Sequence, residues 1–223
     1  MAFTDRYDGV SAAPFDSLNL ALSGDDDPSD VQRNLALLVE DFAPGAELAD
    51  MLQVHGDVVR LAGGPRPSCD ALVTDRADVV LMVRVADCVP VLLADPDAGV
   101  IGAAHAGRQG LVAGVVGACV GQMRQLGARE ITAWVGPHVC GRCYEVPVDL
   151  QEEVAALEPS TRAMTSWGTP ALDLGAGVGD QLARLGVQVQ DLARCTLESP
   201  DLYSYRRDGA RAGRFAGVIR RRG

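Results

Sequence analysis

The sequence predicts an α/β (α+β) fold in which mixed β-sheets are flanked by helices. Three observations carry that expectation. Short apolar runs bounded by Gly, Pro and Asp recur between residues 57 and 104, and their length and flanks suit buried strands. Stretches with apolar residues at helical spacing stand before and after them. No linker, repeat or low-complexity segment divides the chain. Residues 1–223 are therefore expected to form a single domain, and a 48% hydrophobic content suffices for a large core.

Residues 9–24 are irregular and rich in small side chains, as a loop would be. Asp25-Asp26-Asp27-Pro28 then opens a helix, with acids at the positive end of its dipole and proline in its first turn. Val31, Leu35, Leu38 and Phe42 mark its apolar face. Strands are expected at 57–61, 71–74, 79–85, 89–94 and 99–104; several are apolar throughout and so covered on both faces. Leu111, Val115, Val116, Cys119, Val120 and Met123 give a helical period over 110–126. A strand at 131–135, a helix at 148–157, a strand at 171–174, a helix at 179–185 and a strand at 214–220 complete the pattern. Gly175-Ala176-Gly177-Val178-Gly179-Asp180 has its third glycine one place early for a dinucleotide fingerprint, and reads as a turn.

Bulk properties exclude several function classes. A net charge of −10 argues against nucleic-acid binding, which draws its affinity from cationic neutralisation of phosphates. Seven arginines between 206 and 222 are expected on a solvated face, with single ones available to an anion. All 20 basic residues are arginine. Without lysine there is neither a Schiff base for pyridoxal phosphate nor a P-loop. No long apolar run marks a membrane span. The first residues lack the pattern of a secretory signal, so a cytoplasmic protein without a membrane partner is expected. Its six cysteines are then expected to be reduced thiols. Cys140-x-x-Cys143 has no second cysteine pair, which argues against a zinc ribbon. The extended-looking Tyr144-Glu145-Val146-Pro147 after it argues against a redox motif.

The chain has three histidines, and His55 and His105 fall in short motifs together with Cys88. By residue type alone the trio reads more readily as a buried thiol and two hydrogen-bonded histidines. As ligands, the three would hold zinc and leave a fourth position open. Cys88 lies between two expected strands and His105 ends another, 17 residues on. Adjacent strand ends would bring them side by side, where sites in α/β folds gather.

Eight ordered segments extend this. They are Ser17-Leu18-Asn19-Leu20, Gln53-Val54-His55-Gly56, Ala71-Leu72-Val73-Thr74, Ala86-Asp87-Cys88-Val89-Pro90, Ala103-Ala104-His105-Ala106-Gly107, Gly136-Pro137-His138, Cys143-Tyr144-Glu145-Val146 and Ser204-Tyr205-Arg206-Arg207-Asp208. Together they resemble the YfiH-type laccase-domain family, also known as polyphenol oxidase or peptidoglycan editing factor. The resemblance implies a fold related to a group of cysteine hydrolases. It also implies one zinc per chain on His55, Cys88 and His105, and activity on purine nucleosides. That activity comprises phosphorolysis of adenosine, inosine, guanosine or methylthioadenosine with inorganic phosphate as co-substrate, and deamination of adenosine. The chain departs from the family at Arg108, where tryptophan is usual.

True multicopper oxidation needs far more imidazole ligands than three histidines supply. The catalytic candidates are Cys88, His105, Asp87 and Asn19. Asp87 serves either as acid/base group or as an orienter of the ligand beside it. Gln53, Arg108, Arg206 and Arg207 are the candidates for substrate: the amides of Gln53 and Asn19 for ribose or base, the arginines for phosphate. Two alternatives remain open: an amide hydrolase acting on cell-wall precursors, and a regulatory protein with a structural zinc.

Overall fold

The computed structural model describes residues 1–221; Arg222, in the arginine-rich segment, lies outside them. In chain order the elements are β1 (Ala2–Phe3), α1 (Pro28–Phe42), β2 (Glu47–Ala49), β3 (Val59–Leu61), β4 (Ala71–Thr74), β5 (Val79–Val85), β6 (Val89–Asp95), β7 (Val100–Ala106), α2 (Arg108–Ala113), α3 (Val115–Gln125), β8 (Thr132–Val135), α4 (Val148–Leu157), β9 (Arg162–Met164), β10 (Pro170–Leu172), α5 (Leu174–Arg184), β11 (Gln188–Asp191), α6 (Tyr205–Asp208) and β12 (Phe215–Arg220).

Side-chain alternation along the buried strands sets the layers. One sheet has the order β11-β8-β6-β7-β4-β3, antiparallel at its centre and parallel at both edges. A second has the order β1-β12-β5-β2. On β6, Val89, Val91 and Leu93 join a core with Val116, Val120 and Met123 of α3 and Val178 and Leu182 of α5. Leu92 and Ala94 point the other way, into a core shared with Leu81, Val83 and Val85 of β5. Val80 and Met82 of β5 face Leu38 of α1. The order of layers is thus helix, sheet, sheet, helix. Both faces of β5 and β6 are covered, and every residue of both strands is buried.

The structure corrects three expectations. The helix expected over 110–126 is broken at Gly114, whose φ of 90° caps α2 and starts α3. The apolar period runs through the break and conceals it. The segment from Gly175 to Asp180 is not a turn; it lies inside α5, which Asp173 caps by accepting from Ala176 N at 2.9 Å. Two of its three glycines serve close packing: a Cβ on Gly175 would clash with His138 Nε2, and one on Gly177 would stand 2.6 Å from Thr161 Cγ2 and 2.8 Å from Leu111 Cδ2. The strand expected at 171–174 ends at Leu172, because Leu174 already belongs to α5. Among the described residues no helix is long and apolar enough to cross a membrane.

Candidate active site

Cys88 sits in the bend that joins β5 to β6, and His105 lies near the end of β7, paired in register with Pro90 of β6. The antiparallel pairing therefore places the two side by side. His55 comes from a separate bend before β3. Its Nε2 stands 3.9 Å from Cys88 Sγ, and its ring meets that of His105 edge-on at 4.8 Å. One donor atom from each of the three lies within 4.8 Å of the others.

The buried Asp70, which precedes β4, assembles this group. Its Oδ1 accepts from His105 Nδ1 at 2.8 Å and from His55 N at 2.9 Å; its Oδ2 accepts from Gly56 N at 2.8 Å. One carboxylate thus fixes the His105 ring, leaves its Nε2 for the cluster, and holds His55 at a φ of 62°. Burial would raise the Asp70 carboxyl, but His105 and these backbone donors hold it below the usual range. Burial pushes the Cys88 thiol up, and the His105 and His55 imidazoles outweigh it, taking it down to about 6. Burial likewise disfavours the His105 cation, yet Cys88 and Asp70 raise it to about 9. Beneath the cluster the backbone is closely packed at two glycines. A Cβ on Gly107 would stand 2.8 Å from His55 Cδ2 and 3.2 Å from Cys88 Sγ, and one on Gly110 would stand 2.9 Å from Gly56 O.

Above the cluster opens a cavity of about 590 Å³, within the range of small-molecule sites. Gln53, Asp87, Arg108 and Arg206 line it, as do Tyr144 and Tyr205 of the ordered motifs and Arg84 and Arg214, none of which was a site candidate from the sequence. Gln53 pairs with the Arg84 backbone, accepting at 2.9 Å and donating at 2.8 Å. The Arg84 side chain is buried between Asp50 and the Leu20 carbonyl, and its Nη1 has no partner among the described residues. The signal for it was a lone arginine inside an apolar strand. Asp87, at a φ of 89°, accepts from Thr196 Oγ1 and from Arg206 N, both at 2.6 Å. The Arg206 guanidinium lies 4.8 Å from the centre of the Tyr144 ring.

Two predicted residues stand apart from the cavity. Asn19 is fully buried behind it; its amide donates to Asp26 Oδ2 at 2.8 Å and accepts from Arg214 N at 2.9 Å. Arg207 clamps a loop, donating to the carbonyls of Thr196, Ser199 and Leu202. Cys140 and Cys143, expected to lack mates, lie beside Cys195 and Glu198.

A family model described as multi-copper polyphenol oxidoreductase laccase matches residues 1–222. The chain belongs to this family. The purine nucleoside phosphorylase ORF3 of Streptomyces griseus is 52% identical over 228 residues, which span 98% of this chain and 92% of that protein. Among solved structures, Neisseria meningitidis protein NMB0706 superposes with a TM-score of 0.89 at 34% identity, over 99% of this chain and 93% of the other. The Bacillus licheniformis hypothetical protein YfiH gives 0.90 at 26% identity, over 99% and 91%. The YfiH-type resemblance carried by the ordered motifs holds. In this member of the laccase family three histidines fall short of a multicopper centre, whatever the family's description says.

Proposed function

We propose that the chain is a zinc-dependent purine nucleoside phosphorylase, converting a purine nucleoside and inorganic phosphate into free purine and ribose 1-phosphate. One observation carries the reading: a single cavity joins a group of metal donors to four arginines and two tyrosines. The donor set fits zinc, with one sulfur and two imidazoles, one of them oriented by Asp70. His55, Cys88 and His105 would hold it, and when bound it supplies a Lewis acid with an open position.

The remaining roles fall to the chain's own residues. Arg108 and Arg206 grip phosphate through forked hydrogen bonds. A phosphate oxygen attacks the anomeric carbon, the bond to the purine nitrogen breaks, and its electron pair leaves with the base. Phosphate held by the arginines offsets the positive charge that builds on the sugar. The ring faces of Tyr144 and Tyr205 flank the base. Burial and the nearby Cys88 raise the Tyr144 hydroxyl, so it stays protonated and can donate a hydrogen bond to the purine. Asp87 positions Arg206 by accepting from its backbone, and Gln53 braces the wall through Arg84. The test is product analysis after incubation with adenosine or inosine, with and without phosphate. Free purine and ribose 1-phosphate should form only with phosphate. Inosine formed from adenosine without regard to phosphate would replace this reading with deamination.

Asp70, His105 and Cys88 also form an ordered acid–imidazole–thiol row, which supports a second reading, an amide hydrolase with Cys88 as nucleophile. Turnover of a UDP-muramoyl-serine substrate that survives chelation of zinc would establish it.

A further inference from the structure

We propose that Cys140, Cys143, Cys195 and Glu198 form a second metal site, structural in role, that takes a thiophilic divalent cation such as zinc. The inference is independent of the proposed activity. Three sulfurs and a carboxylate oxygen lie within 4.8 Å of one another. Zinc–sulfur bonds of about 2.3 Å give tetrahedral donor separations of about 3.8 Å, so a modest contraction seats the ion.

The backbone prepares this arrangement. Cys140 and Cys143 stand at i and i+3 of one turn, closed by Cys143 N donating to Cys140 O at 2.9 Å. Cys195 and Glu198 stand at i and i+3 of another, closed by Ser199 N donating to Cys195 O at 3.0 Å. A parallel bridge between His138 and Cys195 lays the turns side by side, with Thr196 N donating to His138 O at 3.0 Å. Two turns that each offer an i,i+3 pair are the plan of a zinc ribbon. The second pair escapes notice in the sequence because its last member is glutamate.

Packing does not account for the cluster. Cys69 and Cys119 are each fully buried within the apolar cores. Cys143 is buried, Cys140 and Cys195 are half-buried and Glu198 is exposed, so the three thiols and the carboxylate run from the interior to a place that solvent reaches. Three thiols cannot all pair as disulfides, whereas one cation engages all of them. Four protein donors close the coordination sphere, which is the mark of a structural site. The ion would tie together two segments that reach the cavity: Tyr144, which lines it, follows Cys143, and Thr196, which donates to the lining Asp87, follows Cys195.

The test is native mass spectrometry and cobalt(II) titration of the full chain, purified under reducing conditions. Wild type should take two equivalents; Cys88→Ser and the double variant Cys140→Ser/Cys195→Ser should each take one. Thiolate-to-cobalt charge transfer should be stronger in Cys88→Ser than in the double variant, in proportion to three thiolates against one. Should the double variant fail to fold, the wild-type stoichiometry and the Cys88→Ser spectrum decide alone. Failure of Cys88→Ser to take an equivalent, two equivalents retained by the double variant, or a disulfide within the cluster without metal would overturn the proposal.

Discussion

The two donor clusters are built in opposite ways. His55, Cys88 and His105 come from separate bends and a strand end, and a buried carboxylate brings them together. Cys140, Cys143, Cys195 and Glu198 come from two local turns that carry their own hydrogen bonds. The first cluster is therefore a product of the whole fold, and distant substitutions should reach it. The second is largely a product of its own segments and should respond to local ones.

The largest effect is expected at Asp50. It joins the buried Arg84, whose backbone holds Gln53, two residues before His55. Removing one member of a buried ion pair costs about 3 kcal/mol or more, so Asp50→Asn should lower the urea midpoint markedly. The effect should depend on pH. Burial raises the Asp50 carboxyl, but Arg66 and Arg84 take it below its ordinary value. The folded value lies below the unfolded one, so the stabilisation is complete above the ordinary carboxylate range. It is lost as pH falls through the folded value. Wild type should lose stability on acidification faster than Asp50→Asn, and parallel pH profiles of the two would contradict this.

Asp70→Asn tests the contrast directly. It should weaken metal binding at the first cluster by roughly 10–100-fold and leave the second filled, as competition with a chelator would measure. Equal weakening of both would remove the distinction. Arg108→Trp removes one of the two arginines proposed to grip phosphate. It should raise the KM for phosphate roughly tenfold, the equivalent of one charged hydrogen bond, without changing metal content. The smallest effect is expected at Asp173, which caps α5 and lies against Gly141 in the turn between Cys140 and Cys143. Asp173→Ala should cost about 1 kcal/mol in thermal unfolding, with both clusters retained. Loss of metal from the second cluster alone would show that the turn needs its neighbour after all.

What the sequence made legible follows the physics of each part. Strands β4 to β7 agree with expectation to within about two residues, because continuous apolar runs between two covered faces leave no other reading. Strands β2 and β9 are three residues long, and β11 is exposed throughout, so none carries an apolar period to read. The metal donors stood out because histidine is scarce here. Asp70 is one of 30 acidic residues, and only its burial beside His105 distinguishes it. Asn19 and Arg207 sit in ordered motifs, yet their polar atoms hold loops in place.

The crowding at Gly107 and Gly110 sets a limit on how this pocket can diversify. A side chain at Gly107 would displace His55 or Cys88, and one at Gly110 would press on the Gly56 carbonyl. New substrate preferences must then be written on the rim, at positions such as Leu22, Ser23, Arg108 and Tyr205, where the chain borders the opening. The floor would stay constant while descendants differ above it.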